Sequence, residues 1–289
     1  ANGTKDEPII FTADEDNAKS GHWGGIIING KAPISGDKED KSNTALAEIN
    51  NKYPYGGNNA ADNSGVMTYV SICYAGARST QDIEHNGLTL NGVGNGTTIE
   101  NIYVLESADD AIEFFGGTVN VKNLLAVNPD DDMFDFTQGY CGTLSNCYGI
   151  WESDYTSTEA DPRGIEADGN FDGLYPNHLR QSDFVVDGMT IVNNAANTTD
   201  NVDRMQDVIK IRRGAKATIK NALVKGTGGA IDLVDMNDGK GAGNAASTIS
   251  ITNSLQLTGK KLNGEAVLNE AGSNTGADTS VFGWTKYNF

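Results

Sequence analysis

Acidic side chains recur at matching positions in short, similar segments of this 289-residue chain. Glu113 and Asp135 occupy the same position in two segments that align without a gap at an offset of 22 residues, and Glu166 occupies it in a third. Asp132 and Asp168 lie a few residues away from them. Carboxylate oxygens are preferred ligands of Ca²⁺, which takes six to eight oxygens. These residues form a candidate calcium site if the fold brings the segments together.

The elements that would position these residues are the segments themselves, which recur along the chain. In each segment hydrophobic and polar residues alternate over a few positions, as in a strand with one buried face. A unit repeated at this spacing predicts a β-solenoid in which each turn stacks on the preceding one. The segments lie at 87–91, 108–117, 130–139, 164–168, 208–212 and 230–234, and their predicted outward column is Thr89, Glu113, Asp135, Glu166, Lys210 and Asp232.

A solenoid of this kind places the outward carboxylates of neighbouring turns about 4.8 Å apart. Like charges at that distance repel by about 1 kcal/mol in water and by more where water is restricted. A bound cation, raised carboxylate pKa values or neighbouring bases can offset this repulsion. Two interpretations stay open: a Ca²⁺ site formed by the five carboxylates named above, or a solvated acidic face whose charge Lys210 and Arg212 compensate.

A second series of short segments, each ending in Asn or Asp, alternates along the chain with the first series. Asn and Asp tolerate the left-handed backbone conformation and satisfy turn backbone groups, so the series predicts a ladder at a corner of the coil. Phe114 and Phe136 are predicted to stack inside the coil. The members of the series are Asn101, Asn123, Asn146, Asp187, Asn221 and Asn253.

The whole chain, residues 1–289, is predicted to be one domain, with loops that leave the solenoid near 30–64, 151–162 and 193–206. No cap is recognisable before the first strand-like residues. An uncovered solenoid end exposes a strand edge. We therefore expect a cap that lies outside this sequence, or self-association with another chain through the N-terminal end.

The composition excludes several classes of protein. A formal net charge of −18 repels nucleic acid and anionic lipid surfaces, and no apolar stretch is long enough to span a membrane. Thirty-five glycines against six prolines suit a fold with frequent tight turns. The three cysteines match no zinc pattern, and the sequence leaves open whether Cys141 and Cys147 form a disulfide or stay reduced.

Further motifs carry a resemblance to a known family. They lie at 21–28, 55–57, 60–65, 86–90, 110–117, 130–132 and 212–214. Together they resemble a family of secreted right-handed β-helix proteins of Bacteroidetes and other Gram-negative bacteria, usually described as hypothetical surface proteins or lipoproteins. The resemblance implies an all-β fold, a single-stranded right-handed parallel β-helix, and a secreted or outer-surface location. It implies no established activity, and Lys210 stands where the family pattern has an aliphatic residue.

Lys210 and Arg212 support one enzymatic interpretation of the acidic face. Polysaccharide lyases built on β-helices are similar in arrangement: Ca²⁺ or basic groups neutralise the charge of a sugar carboxylate, and a Lys or Arg removes the adjacent proton. Here Lys210 would be the catalytic base and Arg212 would bind the sugar acid. The opposing interpretation pairs both bases with Glu166, Asp168 and Asp232, and it is favoured because one basic turn compensates several acidic ones.

Three functions are compatible with these features. The first is a non-catalytic extracellular surface protein for adhesion, glycan binding or assembly, stabilised by Ca²⁺, with surface glycans or other proteins as partners. The second is a polysaccharide lyase or glycoside hydrolase acting on acidic glycans. The third is a structural protomer of a surface fibre or array. The sequence favours a protein without catalytic activity and does not rank the first function above the third.

Overall fold

The alternating segments fold into strands that stack in two parallel β-sheets. The computed structural model describes residues 1–38, 41–78, 85–196 and 205–289. One sheet has nine strands and the other has eight, and along most of the chain successive strands alternate between the two sheets. Each turn of the chain therefore adds one strand to each sheet, which makes neighbouring strands parallel. The predicted all-β, right-handed parallel β-helix is confirmed.

Strands are numbered in chain order. The nine-stranded sheet contains, from one edge to the other, β1 (Ile9–Phe11), β5 (Val66–Cys73), β7 (Thr98–Leu105), β9 (Val121–Val127), β11 (Thr143–Trp151), β13 (Asp183–Asn193), β15 (Lys216–Lys225), β17 (Thr248–Asn253) and β19 (Val267–Glu270). The eight-stranded sheet contains β2 (Ile26–Asn29), β6 (Leu88–Asn91), β8 (Ile112–Phe115), β10 (Phe134–Thr137), β12 (Ile165–Asp168), β14 (Met205–Arg212), β16 (Gly229–Asp235) and β18 (Gln256–Leu257).

Apolar residues from both sheets fill the inside of the coil. Because side chains alternate across a strand, every second residue of each strand points inward. Residues of neighbouring turns then stack on one another, and one such column in the eight-stranded sheet is fully buried. Its members are Leu88, Ile112, Phe134, Ile165 and Ile209.

Aromatic rings form a second stack inside the coil. The ring centroids of Phe114 and Phe136 are 5.0 Å apart, and those of Phe136 and Phe184 are 4.2 Å apart. Tyr140 packs against the same rings, and its hydroxyl donates a 2.7 Å hydrogen bond to the carbonyl oxygen of Val119. The predicted stacking of Phe114 and Phe136 is therefore confirmed.

The long strands of the nine-stranded sheet contain a residue in the left-handed conformation. Asn101, Asn123 and Asn146 have φ values of 58°, 57° and 53°. Their amides form a ladder, in which the Nδ2 atoms of Asn123 and Asn146 donate to the Oδ1 atoms of the preceding members at 2.9 and 2.8 Å. The predicted Asn ladder is confirmed for these turns. In β13 the left-handed residue is Gly188 and not Asp187.

Two predicted registers near the C-terminal end are wrong. Asp232 lies beside Asp207, and the residue that follows Lys210 in the outward column is Asp235. The turn between β14 and β16 is 25 residues long at this point, not 22, and this displaces Asp232 from the column. Asn253 is also outside the Asn ladder, because the register of β15 and β17 shifts before it.

The insertion predicted near 30–64 packs against the outside of the eight-stranded sheet. It contains an antiparallel hairpin of β3 (Thr44–Leu46) and β4 (Pro54–Gly56). Ile34 and Tyr55 of this insertion are buried against Phe115 of β8, and the Tyr55 hydroxyl donates a 2.7 Å hydrogen bond to Gln138 Oε1. Of the insertion predicted near 193–206, residues 197–204 lie outside the described residues.

The chain after β19 returns across the outer face of the nine-stranded sheet. We call this segment, residues 274–289, the C-terminal strap. It contains a 3-10 helix, Thr279–Thr285, whose Phe282 is fully buried against outward apolar residues of β7, β9, β11 and β13. Asn146 Oδ1 accepts the backbone N–H of Asp278 at 2.6 Å, so the strap is bound to the Asn ladder.

Each of the three cysteines is a thiol. Cys73 and Cys147 are buried and Cys141 is partly exposed. Cys141 and Cys147 therefore do not form the disulfide that the sequence left open. Within the described ranges, no helix is both long enough and apolar enough to cross a membrane.

Candidate ligand-binding cleft

The outer face of the eight-stranded sheet brings four of the predicted site residues, Glu113, Asp135, Glu166 and Lys210, into one column. Strand pairing places each residue of this column beside the next one. Two residues further along β12 and β14, Asp168 lies beside Arg212. The column consists of Thr89, Glu113, Asp135, Glu166, Lys210 and Asp235. Its two ends differ in charge, because the bases are confined to the end near β14.

Lys210 is held by two carboxylates. Its ammonium group contacts Asp235 and lies 3.6 Å from Asp207 Oδ2, and only 8% of Lys210 is exposed. The ion-pair partners are these two residues rather than Asp232. Burial raises the pKa of Asp207 to about 6, although the Lys210 ammonium beside it acts to lower that pKa.

Arg212 and Arg213 hold Asp168 between them. Arg212 Nε donates to Asp168 Oδ1 and Arg213 Nη1 donates to Asp168 Oδ2, both at 2.6 Å. Arg212 also contacts Glu166. Both oxygens of Asp168, one of the predicted calcium ligands, are therefore engaged by guanidinium groups.

Arg163 is a further base in this network, and the sequence did not single it out. It is 2% exposed, and its Nη1 donates to Glu166 Oε2 at 3.0 Å while its Nη2 donates to Asp161 Oδ2 at 2.6 Å. The same guanidinium lies 4.0 Å from Asp132 Oδ2 and 3.8 Å from Asp207 Oδ2. One buried arginine thus connects carboxylates from three neighbouring turns.

At the other end of the column lies a group of carboxylates that form no ion pair among the described residues. Asp110, Glu113 and Asp135 each place one oxygen within 4.8 Å of the other two. Asn86 Nδ2 donates to Glu113 Oε2 at 2.6 Å, the backbone N–H of Asp132 donates to Asp110 Oδ1 at 2.9 Å, and Asp135 Oδ1 is buried without a hydrogen-bond partner. Within the described residues, none of the three carboxylates forms an ion pair.

A second acidic group adjoins the first. Asp132, Asp135 and Glu166 also bring one oxygen each within 4.8 Å of one another. Asp132 is 1% exposed, and its Oδ1 has no hydrogen-bond partner among the described residues. Arg163 neutralises part of this group through Glu166. Four of the five predicted calcium ligands therefore lie in two adjoining groups, and Asp110 joins them.

Burial raises the carboxyl pKa values in both groups, and the negative charge of neighbouring carboxylates adds to the increase. Arginines oppose the increase in three residues: Arg163 and Arg212 in Glu166, Arg163 in Asp132, and Arg212 in Asp135. The four residues whose pKa is raised well above the ordinary value are Asp110, Glu113, Asp132 and Asp135. A bound proton or a bound cation would remove this electrostatic cost.

Glu113 and Asp135 line a cleft of about 400 Å³ on the outside of the coil, which we call the acidic cleft. Three parts of the fold form it: the outer face of the eight-stranded sheet, the β3–β4 hairpin and the short 3-10 helix Phe171–Gly173. The residues that define it are Glu48, Tyr55, Glu113, Phe115, Asp135, Asp168, Phe171, Asp172, Arg212 and Arg213.

The sequence did not indicate several residues of this site. Arg163 stands at the end of an insertion, so no repeat position marked it. Tyr55 reaches the cleft only because the hairpin folds back onto β8. Asp207 could have been noticed from sequence, because a carboxylate three residues before Lys210 is a common ion-pair spacing, but the repeat alignment does not include it.

The fold and the cleft together define a class of protein: a parallel β-helix that carries an acidic cleft on one outer face. The chain matches the family model of the pectate-lyase-like β-helix domain over residues 1–286, and it belongs to that family. No curated protein and no solved structure matches the chain.

Proposed function

We propose that this protein is an extracellular protein that binds a glycan in the acidic cleft with the help of a Ca²⁺ ion. One observation carries the proposal: Glu113 and Asp135 line the cleft together, Asp110 lies within 4.8 Å of both, and no described base pairs with any of them. Membership of the pectate-lyase-like family supports a polysaccharide as the ligand.

The donor set of this group suits calcium. Every candidate ligand atom is a carboxylate oxygen, and Ca²⁺ takes six to eight oxygens in flexible geometry. Three carboxylates offer at most six oxygens, and two of these, Glu113 Oε2 and Asp110 Oδ1, already accept hydrogen bonds, so coordination positions remain for groups that enter from the cleft. When bound, the ion would supply a positive charge that sugar hydroxyl or carboxylate oxygens can coordinate. Asp110, Glu113 and Asp135 would hold it.

The sides of the cleft suit a sugar ring. Phe115 and Phe171 are partly exposed and belong to the same small apolar cluster as Tyr55. Aromatic rings pack against the apolar faces of sugars, and polar groups at the edge of a cleft fix the orientation of a ligand. Arg212 and Arg213 supply such groups near one end of the cleft.

Affinity electrophoresis against a polysaccharide panel tests the proposal. The panel contains alginate, pectate, chondroitin sulfate and neutral xylan, each with excess Ca²⁺ or with EDTA. We expect at least one polysaccharide to retard the protein only when Ca²⁺ is present. Asp135→Asn should abolish the retardation, and Asp187→Asn, on the exposed outer face of the nine-stranded sheet, should not change it.

Two outcomes would contradict the proposal. Retardation that is equally strong with EDTA and with Ca²⁺ would show that glycan binding does not require calcium. No retardation by any member of the panel, with the protein folded and Ca²⁺ present, would overturn glycan binding in the acidic cleft.

A glycoside hydrolase is a second candidate, favoured by the pair of Glu113 and Asp135. A protonated carboxyl group beside an ionised one is the arrangement that hydrolases use at a glycosidic bond. The raised pKa values of both residues, which burial causes, would supply the protonated member. Elimination chemistry instead needs an available base, and Lys210 is engaged by Asp235 outside the residues that line the cleft.

Product analysis on the same panel separates the enzymatic alternatives. New reducing ends without ultraviolet absorbance would indicate hydrolysis, and Glu113→Gln should abolish them. Absorbance from unsaturated products would indicate elimination, and its loss in Lys210→Ala would assign the base to Lys210. If neither signal arises with a polysaccharide that retards the protein, the protein binds that polysaccharide without cleaving it.

A further inference from the structure

A second cleft lies on the other side of the β3–β4 hairpin. Its volume is about 730 Å³, and we call it the amide cleft because Asn side chains dominate its polar lining. Tyr55 lines both clefts, so the hairpin separates them. The polar residues that define the amide cleft are Asn29, Lys31, Thr44, Asn58 and Asn59.

The charge of the amide cleft is unusual for this molecule. The chain has a formal net charge of −18, yet no residue in the lining of this cleft carries a carboxylate and one, Lys31, carries a positive charge. The acidic cleft next to it is lined by Glu48, Glu113 and Asp135 as well as by arginines. An anionic group of a ligand would therefore be repelled less beside Lys31 than beside the carboxylates of the acidic cleft.

The backbone at the side of the amide cleft requires a glycine. Gly56 lies at its side with φ of 86°, a conformation that side-chain-bearing residues rarely adopt. A Cβ atom at this position would lie 2.5 Å from the backbone oxygen of Asn43 and 2.9 Å from the side chain of Ile34. The insertion can therefore pack upon itself in this way only because position 56 is glycine.

One column of the eight-stranded sheet connects the two clefts. It begins at Asn29 in the amide cleft and continues to Asp168 in the acidic cleft, and the Nδ2 of Asn91 donates to Asn29 Oδ1 at 2.8 Å. Asn29 and Asp168 are four strands apart in the sheet, which corresponds to roughly 19 Å. The members of the column are Asn29, Asn91, Phe115, Thr137 and Asp168.

We propose that the amide cleft is a second subsite for the same glycan, so that the ligand is a chain long enough to reach both clefts past Tyr55. The amides of Asn29 and Asn59 bind hydroxyl groups of one sugar residue, and Lys31 binds an anionic substituent on it. This inference rests on the proposed glycan binding at the acidic cleft. It adds a minimum length for the glycan and a preference for a negative charge on one of its sugar residues.

Binding of oligosaccharides of defined length tests the inference. The probes are alginate, pectate and chondroitin sulfate oligosaccharides, each fractionated by length and titrated calorimetrically with Ca²⁺ present. We expect affinity to rise with length and then to level off. Lys31→Gln and Asn59→Ala should each weaken the binding of long oligosaccharides about tenfold and leave that of the shortest binding oligosaccharide unchanged. Lys122→Gln, exposed on the other sheet, is the matched control.

The outcomes distinguish this inference from the function on which it rests. Equal affinity for long and short oligosaccharides, or full affinity of both variants for long ones, would overturn the second subsite while the acidic cleft still binds. Loss of short-oligosaccharide binding in Lys31→Gln would also overturn it, because Lys31 would then belong to one common site. No binding of any length by the unaltered protein would remove both proposals.

Discussion

Along the outward column from Thr89 to Asp235, the charge balance changes beside Arg163. Towards β14, every carboxylate of the column forms an ion pair with a guanidinium or ammonium group, whereas Asp110, Glu113 and Asp135 form none among the described residues, although the charge of Arg212 acts on Asp135 from a greater distance. The two interpretations of the column that the sequence left open therefore apply to different ends of it. Charge compensation describes one end, and the proposed calcium site uses the other.

Removal of Arg163 should destabilise the protein strongly. Arg163→Met keeps much of the volume of the side chain and leaves Glu166, Asp132 and Asp207 without its charge. Breaking a buried ion-pair network by removing one partner costs about 3 to 5 kcal/mol. We expect a loss of this size in the free energy of unfolding, measured by urea denaturation at neutral pH.

The control for this prediction is a pair on the surface. Lys216→Met removes the partner of Asp183, whose carboxylate lies 3.0 Å away at the start of the neighbouring strand, where both side chains reach solvent. Exposed pairs contribute at most about 1 kcal/mol. If Arg163→Met were no more destabilising than Lys216→Met, the buried network would not stabilise the coil.

The calcium-free protein should lose stability as the pH rises. Asp110, Glu113, Asp132 and Asp135 have pKa values raised by burial above the ordinary value of about 4. The folded state therefore binds protons more tightly than the unfolded chain. This proton binding contributes fully to the free energy of unfolding below about pH 4, and the contribution is lost as the pH rises through the raised pKa values of the folded state.

Comparison with Asp135→Asn isolates this effect. In EDTA the variant should gain stability relative to the unaltered protein between pH 4 and pH 7, because it cannot acquire the unfavourable charge. Denaturation curves at both pH values measure the difference. A constant difference across this range would show that the pKa of Asp135 is not raised in the folded state.

Sequence reasoning located the acids of the column because strand alternation is local and the repeat is regular. It placed Glu113, Asp135 and Glu166 side by side, as the strand pairing has them. It misplaced Asp232 because one turn is longer than the repeat. It missed Arg163 because that residue belongs to no repeat position and becomes buried only through contacts between turns.

At the scale of elements, the strands were predictable and the two segments that cover them were not. The β3–β4 hairpin and the C-terminal strap lack a long alternating pattern, and what they bury depends on the distant strands that they contact. Their sequences therefore read as irregular. The hairpin contributes Tyr55 to both clefts, so the part of the site that the sequence could not reveal is the side formed by this insertion.

Phe282 should anchor the C-terminal strap. Its side chain is fully buried against Tyr103, Leu125 and Tyr148 on the outer face of the nine-stranded sheet. Truncation of a buried Phe to Ala costs about 3 to 5 kcal/mol. We expect Phe282→Ala to lower the free energy of unfolding by this amount, measured by urea denaturation.

Phe289 provides the matched control within the same strap. Phe289 is 49% exposed, and its ring and that of Tyr148 form an edge-to-face contact with centroids 5.0 Å apart. Phe289→Ala should therefore cost much less than Phe282→Ala. Equal costs for the two variants would show that the strap is not anchored at Phe282.

At the scale of the whole molecule, thermal stability should depend on calcium. A ligand that binds only the folded state stabilises it, by about 2.7 kcal/mol at a free concentration of 100 times the dissociation constant. Added Ca²⁺ should raise the Tm of the protein and EDTA should lower it. Asp135→Asn should remove the difference, while Asp187→Asn should retain it. A Tm that responds to neither Ca²⁺ nor EDTA would contradict calcium binding.

The overall architecture is the level at which the sequence was most informative. The repeat predicted parallel stacking, and the alternation predicted which face of each segment is buried, because both depend on spacing alone. The family match over residues 1–286 agrees with that architecture. Loop lengths between turns vary, and this variation is what displaced the register near Asp232.

The C-terminal strap has a consequence for how the coil comes apart. Turns of a solenoid contact only their neighbours, so such a molecule can fray turn by turn from its ends. The strap, however, contacts Asn221 of β15 at one end and Tyr69 of β5 at the other, with Phe282 between them. Turns that do not touch one another thus share one partner, and we expect those from β5 to β15 to open as a single cooperative unit. Because the strap follows β19 in the chain, this coupling becomes available during synthesis only after all the strands have been made.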